Sequence, residues 1–178
     1  MNLWHAVRKE RITPTEFLCC VEISADSSLK YELDKETGAL RLDRILSTAT
    51  HYPHNYGFIP RTLGDDGDPL DVLLIASRPI QPLALARAIP LGVVMMEDTG
   101  RGDEKILAVC PDDPIYGGYR TLEELPPHLG PEIAHFFAVY KGLEAGKSTE
   151  VGPILGRDNA LSVIKEAMER YEQAFPEP

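Results

Sequence analysis

Residues 29–45 read LKYELDKETGALRLDRI. Residues 29–34 (LKYELD) and 39–45 (ALRLDRI) alternate apolar and polar side chains with period two, and Lys35-Glu36-Thr37-Gly38 between them is a turn signal. The stretch therefore predicts a β-hairpin. Strand signals extend to either side. Residues 17–23 (FLCCVEI), 57–62, 70–76 (LDVLLIA), 88–97 (AIPLGVVMME) and 105–110 (KILAVC) are further strand candidates, the last two joined by the polar loop 98–104. After Pro131 the period changes. Ile133, Phe136, Phe137, Tyr140 and Leu143 fall at helical spacing, with Gly146 beyond the end. A second helix is expected with Asp158 as its cap and Leu161, Ile164, Met168, Tyr171 and Phe175 on one face. Thr121-Leu122-Glu123-Glu124 fits a capping box and predicts a short helical turn. Strands first and helices last imply an α+β fold, a small closed or partly closed barrel covered by helices.

The whole chain is consistent with one domain. It has 178 residues, 43% hydrophobic and 26% charged, with no internal repeat or linker tract. That composition supports a core and excludes a disordered or collagen-like chain. The net charge of −10 makes the chain a poor non-specific partner for nucleic acid or an anionic membrane. It leaves room for a small anionic substrate, because clustered cations or a bound metal reverse the field inside one cleft. No apolar run approaches the roughly 18–20 residues that span a bilayer, and residues 1–16 lack the pattern of a leader, so a cytoplasmic protein is expected. The cysteines, Cys19, Cys20 and Cys110, are odd in number. As strand neighbours, Cys19 and Cys20 would point to opposite faces, so free thiols are expected.

The densest chemical signal is Asp65-Asp66-Gly67-Asp68-Pro69-Leu70-Asp71. Four carboxylates crowd into a turn shaped by Gly67 and Pro69, and Asp71 opens an apolar strand. Such acids repel one another unless a cation sits among them, and all-oxygen donors suit hard divalent ions such as Mg²⁺ or Mn²⁺. An EF-hand is excluded, since Leu74 to Arg78 offers no carboxylate at the closing position. A second acid group, Glu97, Asp98, Asp103 and Glu104, precedes Lys105 and could form the other side of a site holding several metals. The aromatic stretch at residues 50–60 places Tyr52 and Tyr56 where phenols could donate to phosphate.

Together these stretches resemble a soluble family I inorganic pyrophosphatase of the short bacterial type, over residues 21–147. The resemblance rests on Asp66-Gly67-Asp68-Pro69-Leu70-Asp71-Val72, which fits D-x-D-P-x-D-V, and on Lys30-Tyr31-Glu32. It also rests on Asp43-Arg44, on Ser47-Thr48-Ala49 running into Tyr52-Pro53-His54-Asn55-Tyr56-Gly57, on Asp98 with Asp103 and Lys105, and on Ala134-His135-Phe136-Phe137 leading to Tyr140-Lys141.

The resemblance implies a five-stranded OB-like barrel with two α-helices in the C-terminal half, usually assembled as a homohexamer. It implies Mg²⁺-dependent hydrolysis of pyrophosphate, with several ions per site and Mn²⁺ or Zn²⁺ as substitutes. Asp66, Asp71 and Asp103 would hold the activating metal, Asp71 bridging two ions, and Asp98 and Asp103 the metal that arrives with substrate. Asp68 would be the general base. Lys30, Arg44, Lys105, Tyr140 and Lys141 would bind phosphate oxygens. Glu22, Glu32 and Tyr56 would shape the site and hold its waters, and Tyr52 and Lys147 match weaker positions. The chain departs from the family pattern at Thr99, a usually acidic position, and at Ser24, a usual proline. Val139 and Gly142 stand where some hexameric members carry contact residues. A non-catalytic or different-substrate relative that keeps the barrel is the alternative; every central position is present, which argues against it. An oligonucleotide-binding barrel would need a basic, aromatic groove, against the acid clusters here.

Overall fold

The computed structural model describes residues 2–176. Strand β1 (Phe17–Ile23) is followed by the hairpin β2 (Leu29–Leu33) and β3 (Leu40–Ile45), as the period-two pattern predicts. Then come β4 (Asn55–Phe58), β5 (Asp71–Ile75), β6 (Leu85–Asp98), β7 (Arg101–Gly102) and β8 (Lys105–Val109). Helix α2 (Leu129–Val139), β9 (Thr149–Gly156) and α3 (Arg157–Ala174) complete the chain, and a short helix α1 (Leu3–Ala6) precedes β1.

Five strands close into a ring. Their order is β1-β4-β5-β8-β6, and β6 pairs back to β1. β5 and β8 are parallel neighbours and the other pairs in the ring are antiparallel. Alternation along β5 sends Val72 and Leu74 to one core and Leu73 to another. The first core is capped by Ala160, Ile164 and Ala167 of α3, the second by Ile133, Phe136 and Phe137 of α2. Cys19 and Cys20 likewise enter different cores, and all three cysteines are free thiols. Each large apolar side chain buried this way contributes about 1.5–3 kcal/mol. Pro131 fits in the first turn of α2, where backbone N–H groups have no partner within the helix.

Several boundaries differ from the sequence expectation. The strand expected at 57–62 ends at Phe58, because Pro60 and Arg61, at φ 58°, turn the chain out of the sheet. β6 is longer than 88–97, since β1, β8 and β9 all pair along it. α2 stops at Val139, so Leu143 lies outside the helix and is 74% exposed instead of joining the core. Gly156, not Asp158, is the cap of α3, and Asp158 sits in its first turn. The buried stripe of α3 runs through Ala160, Ile164, Ala167 and Tyr171, whereas Phe175 is exposed. Of the rest of the expected face, Met168 is partly buried against the first core and Leu161 is only half-buried. The turn at Thr121 carries its capping box as expected. Strand β9 was not predicted, because Gly152, Pro153 and Gly156 break its alternation. No helix among the described residues is long and apolar enough to cross a membrane.

Candidate active site

The acidic loop is shaped by its own backbone bonds. Thr62, at its foot, accepts from the Leu70 N–H at 2.9 Å and donates to the Ile59 carbonyl at 2.6 Å. The Gly64 N–H donates to the Asp68 carbonyl at 2.7 Å, and the Asp68 N–H donates to Asp66 Oδ1 at 2.9 Å. Gly67 supplies the φ of 87° that this turn demands. From the other side α3 holds the loop, with Arg170 Nε donating to the Leu63 carbonyl at 2.8 Å. The loop leads directly into β5, so Asp71 stands at the sheet's edge.

Topology then brings the second acid group to the first. Asp71 and Lys105 are register partners on the parallel strands β5 and β8. Lys105 Nζ donates to Asp71 Oδ2 and to Asp103 Oδ1, both at 2.5 Å. Lys105 is buried; burial works against its charge, but Asp71 and Asp103 outweigh it and hold its pKa above the ordinary lysine value. Burial pushes Asp66 and Asp103 upward, and the neighbouring Asp71 charge adds to both shifts. Asp98 ends β6, and Lys141, just past α2, donates to its Oδ2 at 2.6 Å. Burial opposes the Asp98 charge, but Lys141 holds its pKa below the usual range. The unpredicted β9 steadies this corner by pairing Thr149 with Asp98.

One cavity of about 600 Å³ gathers these groups. Its wall holds Asp66, Asp68, Asp71, Asp98 and Asp103, the cations Lys30, Lys105 and Lys141, and Glu22, Glu32, Tyr56 and Tyr140. Burial raises the phenols of Tyr56 and Tyr140, which therefore stay protonated donors. Glu22 is buried on β1 and accepts from the Leu33 N–H at 2.7 Å; burial pushes its pKa up to about 8. Lys30 and Glu32, which share a strand face, are paired.

Arg44 is the one proposed site residue outside that wall. Its Nε lies 3.0 Å from Glu144, and it faces Lys30 in the hairpin register. Lys147 joins Glu144 at 3.1 Å, and Tyr52 is buried against Tyr56 and Phe136. Thr99, at φ 53°, donates its hydroxyl to Asp98 Oδ1 at 3.1 Å, and Ser24 donates to the Ile80 carbonyl at 2.7 Å. The sequence reading missed Trp4, Asp34, Lys35 and Arg41 in the wall. Lys35 was read only as a turn residue and Trp4 lies far away in sequence, so only the fold reveals them.

Among the described residues, no three metal-ligating side chains converge on one point. Lys105 stands between two of the carboxylates instead. The donor set still suits a hard divalent ion: it is all carboxylate oxygen, and burial leaves Asp66 and Asp103 prone to take up a cation or a proton.

The sequence model of a family described as inorganic pyrophosphatase matches residues 19–172. The chain is 44% identical to soluble inorganic pyrophosphatase 2 of Chlamydomonas reinhardtii, over 97% of this chain and 89% of the algal protein. It is 45% identical to an inorganic pyrophosphatase of Caulobacter vibrioides, over 91% of this chain and 93% of that one. The crystal structure of inorganic pyrophosphatase from Thermus thermophilus superposes with a TM-score of 0.90 at 36% identity, covering 97% of this chain and 99% of the other.

Proposed function

Since this chain belongs to the inorganic pyrophosphatase family and hydrolyses pyrophosphate to two orthophosphates, we propose that the acidic cavity beside β5 and β8 is where it does so. The observation that carries this placement is the convergence of six aspartates with four lysines in one cleft of a chain whose net charge is −10. Pyrophosphate brings several negative charges, so carboxylates alone would repel it. Mg²⁺ held by Asp66, Asp71, Asp98 and Asp103 would supply the missing positive charge and lower the pKa of a water from 15.7 toward about 7.

The chain's own groups do the rest. Asp68, exposed at the tip of its loop, orients the attacking water and accepts its proton. The new P–O bond forms as the bridging P–O bond breaks, and the departing orthophosphate takes up the balancing proton. Lys30, Arg44, Lys105, Tyr140 and Lys141 hold phosphate oxygens and neutralise charge as it develops. Glu22, Glu32 and Tyr56 keep the pocket's shape and its waters in place.

Asp71 touches the central ammonium, whereas Asp65 faces outward to Arg170 at 3.4 Å. Asp71→Asn is therefore expected to lower kcat about a hundredfold or more and to weaken Mg²⁺ binding in calorimetry. Asp65→Asn should leave both within about twofold, as surface substitutions usually do. Equal, small losses in the two variants would overturn the site assignment.

The assembly we propose is a homohexamer, working in the cytoplasm on pyrophosphate as a small-molecule substrate, as one domain over residues 1–178. Its support is the family resemblance; such an assembly would cover exposed apolar side chains such as Ile45 and Leu143, 61% and 74% exposed.

A further inference from the structure

We infer that Lys35, held by the N-terminal helix α1, is a positioning residue for Asp68. The inference rests on the placement of the active site in the acidic cavity. Lys35 lies in the β2–β3 turn and pairs directly with the Asp68 carboxylate. That pair is half exposed, and an exposed ion pair by itself contributes little stability. Its consequence is geometric. The Lys35 carbonyl accepts from Asn2 Nδ2 at 2.7 Å, and the Lys35 ammonium lies 5.6 Å from the centroid of the Trp4 ring. Trp4 is itself anchored, with its Nε1 donating to the Thr62 carbonyl at 2.8 Å.

Thr62 is the same residue that fixes the foot of the acidic loop. The loop's foot and its tip are thus both tied to α1, the foot through Trp4 and the tip through Lys35. Asp68 sits between Gly67 and Pro69 on an exposed tip, where its side chain has rotamer freedom unless something restrains it. A lysine whose carbonyl is held by Asn2 and whose ammonium lies beside the Trp4 ring supplies that restraint. A general base gains from being held in one orientation toward the water it must deprotonate. Neither Lys35 nor Trp4 belongs to the acid and cation motifs of the sequence.

The test uses the full chain with Mg²⁺ and pyrophosphate, comparing wild type, Lys35→Met and Lys35→Arg. Lys35→Met is expected to lower kcat about tenfold while KM moves less than about twofold, because the group acts through Asp68 and not on substrate. Lys35→Arg, which keeps the charge, should recover kcat to within about threefold of wild type. Trp4 is the only tryptophan, so its emission reports the contact without turnover. Emission of the resting protein should change in Lys35→Met and stay close to wild type in Lys35→Arg. Unchanged kcat in Lys35→Met overturns the inference, as does a raised KM at unchanged kcat, or emission indifferent to the substitution. If the wild type itself releases no phosphate, the placement of the site fails and the inference fails with it. An active wild type with an indifferent Lys35→Met variant rejects the role of Lys35 alone.

Discussion

Glu22 lies on a strand whose seven residues are all buried, and its carboxyl is the most conspicuous polar group there. Burial, reinforced by Asp71 and Glu32 and opposed by the Leu33 N–H and by Lys30, raises its pKa from 4.5 to about 8. The folded chain therefore holds a proton that the unfolded chain has released between those values. The stability this group contributes is fully present below about pH 4.5 and is lost as pH rises through about 8. Glu22→Gln keeps an acceptor for the Leu33 N–H and removes the titration. In metal-free protein its melting temperature should gain on the wild type as pH goes from 5 to 8.5. Melting curves that stay parallel across that range would contradict the burial account. At this scale the sequence exposed the acids well, because Asp66, Asp68 and Asp71 are close in the chain and their crowding is itself the signal. Lys35 was invisible for the converse reason: its importance lies in a contact with Asp68, 33 residues away.

The ring of strands depends on how closely β4 can approach β1. A Cβ built on Gly57 would fall 1.9 Å from the Cys20 carbonyl oxygen, a backbone atom with no freedom to move aside. Gly57→Ala should therefore destabilise the fold by about 1–3 kcal/mol or more. It should also reduce activity by shifting the neighbouring Tyr56. Denaturant unfolding monitored alongside kcat checks both, and a variant as stable as wild type would show that β1 and β4 can separate without cost. The β2–β3 hairpin and β5 were readable because they carry unbroken period-two or apolar runs. β9 was not, because its Gly and Pro residues erase the alternation and pairing to β6 alone makes it a strand. The error at Leu143 has a similar origin. Helical spacing continued in the sequence beyond the point where α2 stops at Val139.

On the scale of the whole molecule, closure of the ring converts distant segments into one site. β5 arrives from the acidic loop, β8 from the second acid group and α2 from the far end of the chain, and they meet at Lys105, Asp71 and Lys141. Periodicity suggested the class, strands then helices, and a small closed or partly closed barrel; the strand order of the ring and the parallel β5–β8 pair lie beyond what spacing reports. The surface carries its own prediction. If a second copy covers Leu143, sedimentation at micromolar concentration should show a hexamer, and Leu143→Asp should move the population toward smaller species. A wild-type monomer would contradict the proposed assembly.

We propose that divalent metal held by the carboxylates, together with the converging cations, lets this acidic cleft hydrolyse pyrophosphate. The most direct measurement is phosphate release from pyrophosphate by the purified chain, with Mg²⁺ and then with excess chelator. Rapid release that stops on chelation and returns when Mg²⁺ is restored is the predicted result. Release that continues undiminished in chelator, or no release with Mg²⁺, Mn²⁺ or Zn²⁺ from a folded chain, would contradict the account.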